Sequence, residues 1–74
     1  MDNERYALAE RAYLNYDFGD IQITDVSGFE YDGDCEYTRK IYSDEGAFTF
    51  VVRFAKNSAS IDEQYAIDQK GNIF

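Results

Sequence analysis

The chain has 74 residues, 15 of them acidic and 7 basic, for a formal charge of -8, and it holds one Cys and no His, Pro or Trp. Under about 80 residues a chain encloses one small core, which excludes a second domain and gives the expectation of a single domain over residues 1–74. The 45% hydrophobic and 18% aromatic content excludes a disordered acidic tail.

Tyr6, Ala9, Tyr13 and Tyr16, with Leu8 and Ala12, share one side of a helical wheel, and Glu10, Arg11 and Asn15 fall on the other. The spacing predicts a helix over residues 3–16, capped by Asp2 or Asn3 and stopped at Asp17-Phe18-Gly19. Its tyrosine face either packs on a sheet or forms a ligand-stacking row. From Asp20 onward the apolar period is two, the signature of strands. Ile21, Ile23, Phe29 and Tyr31 read as one bent strand with a bulge near Gly28. Asp32-Gly33, set between two alternating runs, predicts a tight hairpin. Cys35, Tyr37 and Ile41 continue the inner face, Ser43-Asp44-Glu45-Gly46 turns the chain, and Phe48, Phe50, Val52 and Phe54 form the central strand. Beyond the polar loop Lys56-Asn57-Ser58-Ala59-Ser60, the positions Ile61, Tyr65 and Ile67 make a last inward-facing strand, ended by Asp68-Gln69-Lys70-Gly71-Asn72 before Ile73 and Phe74.

The expected fold class is α+β, one N-terminal helix packed on a four-stranded antiparallel meander sheet (αββββ), with the helix covering the one apolar face of the sheet. The expected core is Phe48, Phe50, Val52, Phe54, Ile21, Ile23, Phe29, Ile41, Ile67 and Tyr13. Arg39 and Glu63 fit poorly, because both fall in the inward phase of their strands. Frayed strand ends, or a pair between the two, would accommodate them.

The charge is uneven along the chain. Asp17, Asp20, Asp25, Glu30, Asp32, Asp34 and Glu36 lie between residues 17 and 36 with no base among them, so nearly all the net charge sits in that stretch. Solubility through self-repulsion is one explanation. A binding face is the other, since evenly spread charge would keep the chain soluble with less local repulsion. The natural partner of such a face is a basic protein surface, above all the groove of a nucleic-acid-binding protein, where carboxylates stand in for phosphates. The same charge disfavours direct contact with nucleic acid.

Few motifs carry chemistry. Asp32, Asp34 and Glu36 alternate like the first ligands of a calcium loop, but Tyr37 stands where that loop needs Gly and Ser43 where it needs Glu, so no metal is expected. Cys35 lies between Asp34 and Glu36, without the positive neighbours that lower a thiol pKa, and reads as a small core residue rather than a nucleophile. The missing His removes the usual proton shuttle, no Gly-rich phosphate loop is present, and an αββββ layer leaves little room for an enclosed pocket. No enzyme activity and no cofactor are therefore expected. A lone Cys favours a reducing compartment, Met1-Asp2-Asn3-Glu4-Arg5 lacks the basic and apolar regions of a signal peptide, and no six apolar residues run together. The expectation is a soluble cytoplasmic protein without membrane contact, in the host cytoplasm if phage-encoded.

Glu10-Arg11-Ala12-Tyr13-Leu14, Asp20-Ile21-Gln22-Ile23, Phe48-Thr49-Phe50-Val51-Val52 and Tyr65-Ala66-Ile67-Asp68 follow one another in an order that resembles the helix-plus-meander of cystatin-like or PepSY-like small domains. In size, acidity and lack of catalytic residues the chain also resembles small inhibitors encoded by phages and mobile elements, among them anti-CRISPR proteins and nucleic-acid mimics. That resemblance implies a compact acidic inhibitor that occupies a basic site on a defence or nucleic-acid enzyme.

The function expected is thus a small acidic non-enzymatic protein that binds and inhibits a basic, nucleic-acid-handling partner protein, such as a CRISPR effector, through the seven carboxylates named above. Tyr31 and Tyr37 flank the hairpin as candidate aromatic anchors, although their inward phase argues for the core. The alternative is a structural or homodimerising domain, a monomer or weak homodimer in isolation, that uses a sheet edge or the face carrying Thr38, Lys40, Tyr42, Thr49, Val51 and Arg53.

Overall fold

A computed structural model of the chain describes residues 3–33 and 35–73. Helix α1 spans Asn3–Asn15, one residue short of the expected end, and Asp2 as a cap lies outside the described residues. Ala9 and Ala12 are its buried positions, and these small side chains let the helix lie close to the sheet. Tyr6, Leu8, Tyr13 and the following Tyr16 pack around them against the core. Tyr13 and Tyr16 both meet Phe50 edge-on, with ring centroids 5.8 and 5.1 Å away. The tyrosine face is therefore packing surface. At its start the helix is tied to the far side of the fold, where Arg5 donates from Nε to the Ser58 carbonyl at 2.8 Å and from Nη2 to the Ala55 carbonyl at 3.1 Å.

Five antiparallel strands follow: β1 (Ile23–Val26), β2 (Glu30–Tyr31), β3 (Glu36–Ser43), β4 (Gly46–Phe54) and β5 (Ile61–Asp68). Their order is β1-β3-β4-β5, with β2 also on β3. The expected four-stranded meander is corrected to five strands because the first, bent strand is divided in two, both parts lying along one edge of β3. The cause is backbone slippage. Val26 stands opposite Ile41 but Glu30 stands opposite Thr38, so the β1–β2 side holds one extra residue in the stretch that contains Gly28. Ser27 spans the gap, its N–H donating to the Lys40 carbonyl and its Oγ accepting from the Lys40 N–H, each at 2.9 Å.

The β2–β3 hairpin is longer than the Asp32-Gly33 pair predicts. The Asp32 N–H donates to the Glu36 carbonyl at 3.2 Å, and a connection of residues 32–35 separates the end of β2 at Tyr31 from the start of β3 at Glu36. Cys35 adopts φ +65° within it and is half-buried in the loop, not on a strand. The β3–β4 connection is tighter, with Ser43 opposite Gly46. Gly46 takes φ +115°, which side-chain-bearing residues rarely adopt, and Ser43 Oγ braces the turn by accepting from the Glu45 N–H at 3.1 Å.

Registration decides which side chains face the helix. Tyr37, Arg39 and Ile41 of β3 stand opposite Val52, Phe50 and Phe48 of β4, and Phe50 in turn faces Ala66 of β5. These form the core with Ala9, Ala12, Phe29 and Phe54. Ile67 was expected among them, and this is corrected: Tyr65 and Ile67 pair with Val51 and Thr49 and point to the opposite face. Phe50, ringed by Tyr13, Tyr16, Phe18 and Phe29, leaves space across the strand only for an alanine.

The two misfits have separate answers. Glu63 is on the outer face, where its carboxylate lies 3.4 Å from Arg53. Arg39 does point inward and is 6% exposed. Its Nη2 lies 2.7 Å from Glu10 Oε1 of the helix, and its guanidinium carbon sits over the rings of Phe29 at 4.3 Å and Tyr13 at 4.7 Å. The Arg39–Glu63 pair does not form, and Glu10, expected on the solvent side of the helix, is half-buried at the edge of its packed side.

Candidate acidic interface

The seven carboxylates expected to form one anionic face are divided by the fold into groups with different surroundings. Asp17 ends the helix region as a turn former, accepting from the Gly19 N–H at 2.8 Å. Asp20 is exposed at the lip of a cleft of about 590 Å³ lined by Phe18, Ile21, Glu45, Phe48, Asp68 and Lys70 among others. Asp25 on β1 stands opposite Tyr42, and Glu30 on β2 stands opposite Thr38. Both are exposed and share the sheet face turned away from the helix. Asp32 is exposed at the hairpin, and Asp34 lies outside the described residues. Glu36 departs from the group, because its Oε2 accepts from Arg53 Nη2 at 2.8 Å, so its charge is largely met within the sheet.

What the linear charge map missed is the turn at the other end of β3. Asp44 and Glu45 are exposed there, and Asp44 is stitched to the chain before β1. Its Oδ1 accepts from the Gln22 N–H at 3.1 Å, and its own N–H donates to the Gln22 carbonyl at 3.1 Å. Asp20 therefore neighbours Asp44 and Glu45, two carboxylates more than 20 positions away in sequence. The residual signal was the Ser-Asp-Glu-Gly turn itself, whose acids count toward a locally neutral stretch of sequence.

Asp68, also at the cleft, has a structural task. Its carboxyl is held below the ordinary value of 3.8, chiefly by the Asn72 backbone N–H; desolvation opposes this, and the Lys70 N–H, the Asn72 side chain and the Lys70 charge add to the lowering. The Lys70 and Asn72 amides each donate to Oδ1 at 2.9 Å, closing the turn that returns Ile73 to a bridge with Ile67. A depressed folded-state pKa gives stability that is present above the unfolded value and lost as pH falls through the folded one. The amide proton resonances of Lys70 and Asn72 should therefore titrate together with a midpoint below 3.8. A midpoint at or above that value would show that the carboxylate does not hold the turn.

Chemically the surface offers carboxylates, the exposed bases Arg11, Lys40, Lys56 and Lys70, tyrosines and aliphatic side chains. Among the described residues no group of three or more His, Cys, Asp and Glu has the arrangement to hold a metal ion, and no helix is long and apolar enough to cross a membrane. Tyr37 is 1% exposed and belongs to the core, while its ring partner Tyr31, 5.0 Å away, is the more exposed of the two candidate anchors. Comparison with protein-family models, with curated proteins and with solved structures finds no match in any of the three.

Proposed function

We propose that this protein is a small acidic, non-enzymatic binding protein that docks on a basic, nucleic-acid-handling partner and inhibits it by occupying the surface that phosphates would otherwise fill, an effector of CRISPR type being one partner of that chemistry. The observation that supports this reading is where the fold sends its bases. Arg5 is tied to backbone carbonyls of the β4–β5 loop, Arg39 is buried, and Arg53 is held between Glu36 and Glu63. Asp20, Asp25 and Glu30 stay exposed and make no ion pair with any described residue. Arg11, Lys40, Lys56 and Lys70 are exposed as well, but three of the seven bases are engaged within the fold and the chain carries a net charge of -8, so acid remains in surplus at the surface, which suits electrostatic capture of a basic surface.

Capture from a host lysate at about 50 mM and about 500 mM salt, a range over which screening becomes strong, tests the reading. The expected result is recovery of a nucleic-acid-handling protein at the lower salt, its loss at the higher, and its loss at both with an Asp20→Lys, Asp25→Lys, Glu30→Lys triple variant. Salt-resistant capture, or capture indifferent to the reversal, would sink it. Glu36 is left out of the variant because reversing it would place a lysine against Arg53.

A further inference from the structure

One face of the sheet is covered by α1, and among the described residues no element covers the other. Across that open face the register sets Tyr42 beside Ala47, Thr49 beside Ile67, Val51 beside Tyr65, and Ile67 beside Ile73. The result is an apolar strip running from Tyr42 on β3 across β4 and β5 to Ile73, with Tyr42 at 45% and Ile73 at 70% exposure. Val51, at its centre, is already 5% exposed, so the strip has a packed middle and open ends. Asp25 and Glu30 border the same face along β1 and β2, Glu36, Arg53 and Glu63 cross it at one end, and Lys40 lies between Asp25 and Glu30. Apolar side chains thus form the centre and carboxylates outnumber bases around them, the layout of an interface with an apolar core and a polar rim.

We propose that this open face is where the partner protein docks, and that the partner presents an apolar strip flanked by lysines or arginines. The proposal rests on the functional reading above and gives it a location. Charge complementarity selects the occupant. A second copy would bring its own surplus of acid, -8 on each chain, against the same border, whereas a basic amphipathic surface satisfies both the strip and the rim. The two sources of binding are separable, since rim charges act mainly on association and salt dependence while the apolar centre governs dissociation.

The test is an amide-resonance titration of the isotope-labelled protein with three defined probes: an amphipathic leucine–lysine peptide, polylysine, and the matching leucine–glutamate peptide. The expected result is that the leucine–lysine peptide moves resonances at Tyr42, Val51, Tyr65, Ile67 and Ile73, that the leucine–glutamate peptide moves none, and that Tyr65→Ser weakens the first by about tenfold while leaving polylysine affinity unchanged. Should Tyr65→Ser lose its fold by circular dichroism, Ile73→Ser at its more exposed position serves instead. Equal binding of polylysine and the leucine–lysine peptide, confined to the carboxylates, overturns the sheet-face site and leaves the electrostatic reading standing. Binding of neither overturns both. Concentration-dependent shifts on this face without any peptide, with a dimer mass in sedimentation, overturn the proposal in favour of a second copy.

Discussion

Phe50→Ala should leave the protein unfolded at room temperature. Phe50 is 0% exposed and sits at the centre of a ring cluster, with Tyr16 at 5.1 Å, Tyr13 at 5.8 Å, Phe18 at 6.1 Å and Phe29 at 6.3 Å. Removing a buried phenyl ring costs about 3–5 kcal/mol through lost transfer energy and the cavity left behind. The facing residue, Ala66, is too small to refill that space. A single core in a chain this short supplies about 3–5 kcal/mol in all, so the loss matches the whole reserve. Phe50→Leu keeps most of the volume and should fold with a lower urea midpoint. The check is far-ultraviolet circular dichroism with urea titration of both variants, and a folded alanine variant with an unchanged midpoint would mean that the cluster is not what unites helix and sheet.

Arg39→Ala is the second large effect, with an expected loss of about 3 kcal/mol. Breaking a buried ion pair costs about 3–5 kcal/mol when the remaining charge stays buried. Here the remaining partner, Glu10, has a side chain 39% exposed, so it recovers hydration and the electrostatic part is smaller. Against that, Arg39 also lies over Phe29 and Tyr13, and desolvated cation–π contacts add about 2 kcal/mol. The two contributions separate by substitution. Arg39→Met retains an apolar stem against both rings and lets Glu10 turn outward, so it should cost no more than about 1 kcal/mol. Glu10→Gln should be milder than Arg39→Ala, since the rings still hold the guanidinium. If methionine destabilises as much as alanine, the charge itself holds this part of the fold together and the packing account fails.

Arg39 also shows where sequence reading stops. Its inward phase was legible from the alternation of β3, but its partner was not, since Glu10 belongs to an element whose contact with β3 depends on how the helix rotates on the sheet. The helix, the central strand and the order of turns were all legible because each rests on a local period or a turn residue. The last strand was not. Tyr65 and Ile67 carry the larger apolar side chains and so suggested the inner face, yet the aromatic cluster around Phe50 needed a small neighbour, and Ala66 met that need. Pattern reading ranks residues by hydrophobicity, whereas packing selects them by volume. Of the candidate interface, Asp25 and Glu30 were readable as exposed acids, but their common face follows from two irregularities, the register shift between Ile23 and Asp25 and the extra residue near Gly28. The hairpin differed from expectation because Cys35 takes a left-handed conformation that composition does not signal.

The order in which these contacts become available has its own consequence. Strands β3, β4 and β5 pair with their chain neighbours through short connections, so the sheet closes small loops and should assemble rapidly once synthesised. The helix precedes every strand it packs against. Its 13 residues are marginal alone in water, and the carbonyls that fix Arg5 belong to residues 50 and 53 positions downstream. During translation the contacts that fix Arg5 therefore cannot form until residues 55 and 58 have emerged, and docking of α1 over Phe50 should follow pairing of the strands.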